Sequence, residues 1–151
     1  MTQYGTPSAD IVDGDWLDEG AAATLFAHIV PGTPGSIGAG DDATYIVSGD
    51  APSGDAVALE LSDIEDPEAS SGHIMRWRRQ KDTAGGATVN MAVQLREGYT
   101  GEGAQGSLIN AYADDDIPDA FATATDTLSG AEADSITDYT DLQLRITATQ
   151  V

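Results

Sequence analysis

Thr88-Val89-Asn90-Met91-Ala92-Val93-Gln94-Leu95-Arg96-Glu97 is the stretch that decides the fold. Val89, Met91, Val93 and Leu95 alternate with Asn90, Ala92, Gln94 and Arg96. Successive side chains of a strand point to opposite faces, so this period of two gives one apolar and one polar face. A helix would need apolar residues three and four apart. The segment therefore reads as a strand with one side on a core and the other in water, as in antiparallel sheets.

The same alternation recurs on either side. Val57, Leu59 and Leu61 alternate with Ala58 and Glu60, and in His73 to Gln80 Met75 and Trp77 oppose Arg76 and Arg78. Near the end, Leu142, Leu144, Ile146 and Ala148 share a face. Shorter strands are predicted at Tyr45–Val47, Leu108–Tyr112 and Phe121–Thr127. Lys81 to Gly86 reads as a hairpin turn joining the strands from His73 and Thr88, and turns rich in Gly and Pro fill 31–42 and 49–54. Residues 18–24 fit a short helix, while Leu25 to Val30 also fits a first strand. Ser129 with Glu132 forms a one-turn capping box. With about eight short strands and no long helical repeats between them, the expected fold is all-β, an antiparallel, jelly-roll-like β-sandwich. Residues 16–151 form its single domain and residues 1–15 an N-terminal arm. The expected core is Leu59, Leu61, Trp77, Met91, Val93, Leu95, Leu108, Leu144 and Ile146. The glycine-rich loop 98–106, read as lacking an apolar anchor, is expected to be mobile.

The chain of 151 residues carries 26 Asp and Glu against six Lys and Arg, a formal net charge of −20. Nineteen of the acids are Asp and the single lysine is Lys81. Repulsion among so many carboxylates reaches about 10 Å at 0.1 M salt but only about 3 Å at 1 M. Abundant Asp with sparse Lys resembles the composition of halophile proteins and implies adaptation to concentrated salt. Cysteine is absent, which excludes disulfides and thiolate chemistry. No apolar run approaches membrane-spanning length and no secretion signal is visible, so a soluble chain with no membrane partner is expected.

The candidate sites are few. Asp114, Asp115 and Asp116, with Asp119 beyond Pro118, form the densest carboxylate cluster, a set of hard oxygen ligands suited to Ca²⁺ or Mg²⁺ or else a hydrated acidic loop. It lacks the alternating carboxylates, central glycine and final glutamate of an EF-hand, and no cofactor is expected. His28 and His73 are too few for a zinc site without cysteine. Glu60, Glu97 and Asp141 lie near strands, but among 26 acids a pair at glycosidase spacing arises by chance. No nucleophile elbow or phosphate loop is present, so an enzyme is not expected. Arg76-Trp77-Arg78-Arg79-Gln80-Lys81 concentrates four of the six cations. Arg76 and Arg78 share one face, and Arg96 extends it if the two central strands pair. Guanidinium groups grip carboxylates with two hydrogen bonds, so this patch suits an acidic neighbouring subunit or internal pairing. Nucleic acid is disfavoured by the net charge.

Ser135-Ile136-Thr137-Asp138-Tyr139-Thr140-Asp141-Leu142-Gln143-Leu144-Arg145-Ile146 resembles the closing strand of small β-sandwich virion proteins of tailed viruses. Asp66-Pro67, Gly72-His73, Arg76-Trp77-Arg78 and Val93-Gln94-Leu95-Arg96-Glu97-Gly98 resemble that family's middle strands. With the acidic composition, the chain resembles a structural protein of a tailed virus of haloarchaea. The resemblance implies a homo-oligomer in the virion, as capsid decoration, neck, tail or baseplate, bound to other virion proteins. Ile136 and Leu142 are expected to anchor a turn that Asp138 stabilises and Tyr139 caps. The rival expectation is a host-surface or glycan-binding module, with or without Ca²⁺ dependence, using loops 98–106 and 114–119.

Overall fold

The computed structural model describes residues 3–18, 25–29, 45–82 and 86–151. Its strands are β1 (Pro7–Val12), β2 (Leu17–Asp18), β3 (Ile46–Val47), β4 (Ser53–Leu61), β5 (Ile74–Arg79), β6 (Val89–Glu97), β7 (Ser107–Asp114), β8 (Ala122–Thr127) and β9 (Leu142–Gln150). Two single-turn helices complete the described residues, α1 (Phe26–Ile29) and α2 (Gly130–Ala133). Neither is long and apolar enough to cross a membrane. The fold is all-β and antiparallel throughout, and sandwich-like.

Its layers are unequal. Five strands form the large sheet in the order β1-β4-β9-β6-β7, while β5-β8 and β2-β3 form two-stranded ribbons. The alternation that marked β4, β6 and β9 places Val57, Leu59, Leu61, Met91, Val93, Leu95, Leu142 and Ala148 in the buried core. Met75 of β5 closes over Leu61, Leu95, Ile109 and Leu142, with Leu128, Ile136 and Tyr139 sealing that end. Trp16 and Leu25 cover Val57, Leu59 and Ala148 at the other. Half-buried Trp77 touches both the first cluster and a third one formed by Met91, Val93 and Ile117, and its ring meets Tyr112 edge-on at 4.8 Å.

Several expectations change against this architecture. Within the segment expected as an arm, β1 is hydrogen-bonded along β4 as the edge of the large sheet. Asp10 of β1 accepts the N–H groups of Leu25 and Phe26, both at 2.7 Å, and so fixes the start of α1, where a strand was the other option. The remaining residues of the possible 18–24 helix, 19–24, lie outside the described residues, as do the turn at 31–42 and the side chain of His28. The strands from His73 and Thr88 do not pair. β5 pairs with β8, and β6 lies between β9 and β7, so the intervening segment crosses from one layer to the other. Leu108 is 51 % exposed rather than buried. Leu95 faces Asn110 while Arg96 faces Leu108, so Ile109 is an extra residue on β7. This bulge reverses the phase of the strand, taking Ile109 inward and Leu108 outward.

The turn before β9 forms as its residues imply. Ile136, Tyr139 and Leu142 are buried, and Asp138 accepts the N–H of Thr140 at 2.9 Å and its hydroxyl at 2.7 Å. The capping box at α2 is complete, with Ser129 and Glu132 satisfying each other's backbone N–H groups.

Candidate interaction surface

The outer face of the β5–β8 ribbon carries the most exposed cations. Register places Ile74 opposite Thr127, Arg76 opposite Thr125 and Arg78 opposite Thr123. All six are exposed, and Ile74 at 57 % is a large apolar side chain in open water. Arg78 lies over the Phe121 ring, 5.6 Å from its centre, and donates to the Thr123 hydroxyl at 3.4 Å. Arg76 has no hydrogen bond or ion pair among the described residues. The β-branched threonines suit the strand and stand directly across from these side chains.

The other cations are engaged within the chain. Arg79 shares the inward face of β5 with Met75 and Trp77, and two of its N–H groups converge on one carboxylate oxygen of Asp114, the Nε contact being 2.6 Å. Asp114 stands opposite Met91 on β7, so the pair ties the ribbon to the large sheet. Lys81 binds Asp116 and reaches Asp119 at 3.5 Å. The hydrogen bond to Asp116 raises the Lys81 pKa, and Lys81 in turn lowers that of Asp116. Asp114, Asp116 and Asp119 therefore face cations of this chain, while Asp115 is exposed. Among the described residues no three His, Asp or Glu side chains gather closely enough to hold a metal ion.

Arg96 belongs to a different surface. It lies with Gln94 on the outer face of the large sheet, across the sandwich from Arg76 and Arg78. It is buried there, donating to Gln94 at 2.9 Å and to the Gln105 carbonyl at 2.8 Å. What buries it is the loop 98–106, folded back over the sheet. Tyr99 is 1 % exposed; its N–H donates to Gln143 at 2.8 Å and its hydroxyl to Glu102 at 3.0 Å. Arg145 donates to the same Glu102 oxygen at 2.8 Å. That bond, reinforced by Tyr99, holds the Glu102 carboxyl below its ordinary range. The expected mobile loop is thus a pinned flap, and Tyr99 is the anchor the sequence reading missed.

A second feature adjoins the arginine ridge. An acidic cleft of about 670 Å³ opens between 63–66 and 137–140, with Asp63, Glu65, Asp66 and Asp138 around Ile64 and Tyr139. No lysine or arginine is among its lining residues. His73, the residue before Ile74, meets the Tyr139 hydroxyl through Nε2 at 2.8 Å, so cleft and ridge share one end of the molecule. Glu97, beyond the cleft, instead accepts the Thr137 N–H at 2.7 Å and its hydroxyl.

This surface can present guanidinium donors at Arg76 and Arg78 and carboxylate acceptors in the cleft. Comparison of the chain with protein-family models, curated proteins and solved structures finds no match.

Proposed function

We propose that the chain is a virion structural protein of a virus of a salt-adapted host, acting by protein–protein assembly in concentrated salt. The observation that carries this reading is Arg76, exposed on the β5–β8 ribbon beside Ile74 and unpaired among the described residues of a chain of net charge −20. An exposed guanidinium beside exposed apolar surface is what an interface with an acidic protein uses. The sequence resemblance over about 57–148 supplies the virion setting, where repeated copies make each weak contact count many times. The rival glycan-binding reading depends on free loops at 98–106 and 114–119, and both loops direct most of their polar groups to this chain.

The test is the mass of the protein in about 3 M and 0.1 M salt, by sedimentation, because screening removes long-range repulsion only at the higher value. A defined oligomer at high salt that dissociates at low salt supports assembly, and a compact monomer at both overturns it. Recovery of the chain in purified particles, read by mass spectrometry, tests the virion location.

A further inference from the structure

Resting on that assembly reading, we infer that the partner of the Ile74–Arg76–Arg78 ridge is the acidic cleft of a second copy of this chain, in a two-fold dimer. Charge complementarity chooses the occupant. Among the described residues, the ridge presents an unpaired guanidinium at Arg76 with an apolar neighbour in Ile74, and the cleft presents four carboxylates around Ile64 and Tyr139 with no lysine or arginine lining it. Asp63 is exposed and makes no hydrogen bond to another described residue. Each feature offers what the other lacks.

Adjacency chooses the symmetry. The His73–Tyr139 contact puts ridge and cleft side by side at one end. A patch carrying both halves is self-complementary, and a two-fold axis beside it sets each ridge on the other copy's cleft. Salt acts on the two components differently. The repulsion between two chains of −20 is long-ranged and collapses at molar salt, whereas contact pairs enclosed by an interface are screened far less. The dimer therefore tightens as salt rises, the reverse of an ordinary surface ion pair.

The test is a charge exchange on the full chain in about 3 M KCl, with the dimer constant read by sedimentation and folding by circular dichroism. Arg76→Glu and Asp63→Arg should each weaken the dimer at least about tenfold, and the two together in one chain should restore it to within about threefold. Arg76→Gln serves in place of Arg76→Glu if that variant does not fold, and should weaken the dimer in the same direction. An oligomer indifferent to both single changes, or a double variant no tighter than the singles, overturns this partner assignment while leaving assembly standing. A wild-type monomer at every salt overturns both.

Discussion

Glu102 near the tip of the β6–β7 flap and Arg145 in the middle of β9 are joined at 2.8 Å, although 43 residues separate them. The contact closes a loop over a sheet face that would otherwise be wet. Its protonation sets a pH limit. The Glu102 carboxyl is lowered first by Arg145, that of Glu132 by the Ser129 hydroxyl and backbone, and that of Asp138 by Thr140. A carboxyl lowered in the folded state contributes stability fully above its unfolded pKa, near 4, and loses it as pH falls through the folded value. At constant molar salt, the melting temperature should drop between about pH 5 and pH 3, and Glu102→Gln should make that drop shallower.

Tyr99 carries the flap. Removing its ring by Tyr99→Ala should cost about 3 kcal/mol, because the ring is enclosed and its cavity cannot collapse onto a sheet. Tyr99→Phe, which keeps the ring and loses the hydroxyl's contacts with Glu102 and Arg145, should cost about 1 kcal/mol. Urea unfolding in molar salt measures both, and equal costs would show that the hydroxyl rather than the buried ring holds the flap.

Arg79 and Asp114 should be strongly coupled, and Lys81 and Asp116 weakly. The first pair lies between the layers with its side chains 14 % and 15 % exposed, whereas Asp116 is 51 % exposed. Arg79→Ala strands a largely enclosed carboxylate and should cost about 2 kcal/mol. Lys81→Ala should cost clearly less than Arg79→Ala, because its partner carboxylates stand in water. A double-mutant cycle at each pair checks the ranking.

Gly106 and Gly103 should respond differently to alanine. At Gly106 φ is +57°, and an added Cβ would stand 2.1 Å from the Glu97 carbonyl oxygen. At Gly103 nothing lies within 4 Å of an added Cβ. Gly106→Ala should destabilise by about 2 kcal/mol or more, and Gly103→Ala should stay within about 0.5 kcal/mol. Thermal melts of the two variants side by side test this.

Much of the sheet was legible because its central strands are strictly alternating. Val89 to Leu95 and Leu142 to Ala148 state both their conformation and their buried face. What escaped depended on distant partners. Nothing local tells β5 to pair with β8 across 42 intervening residues rather than with β6 across a short turn (Ile74 lies opposite Thr127, 53 positions on). Leu108 was misplaced because a bulge opposite Leu95 shifts the phase, and a bulge leaves little trace in composition. β1 was hidden by its polarity: Pro7-Ser8-Ala9-Asp10 lacks an apolar face, and an edge strand tolerates that, including proline at its first position.

The interaction surface was legible in part. The exposed pair Arg76 and Arg78 follows from their opposition to Met75 and Trp77. By the same parity Arg79 belongs inside, and Asp114 shares the face of Tyr112, a signal present in the sequence and unused. Four glycines in 98–106 suggested mobility, but Tyr99 between the first two outweighs their freedom by burying a whole ring. The cleft has no signature at all, since 63–66 and 137–140 meet only through the fold.

One consequence concerns how the molecule is made. β9 runs through the interior of the large sheet, flanked by β4 and β6, which are synthesised long before it. Until residues 142–150 leave the ribosome, those two neighbours each present a bare row of amide and carbonyl groups, a hazard for pairing with the wrong chain. The nascent polypeptide must wait, half-built, for its keystone, and the mutual repulsion of its many carboxylates is well suited to keep unfinished copies apart meanwhile.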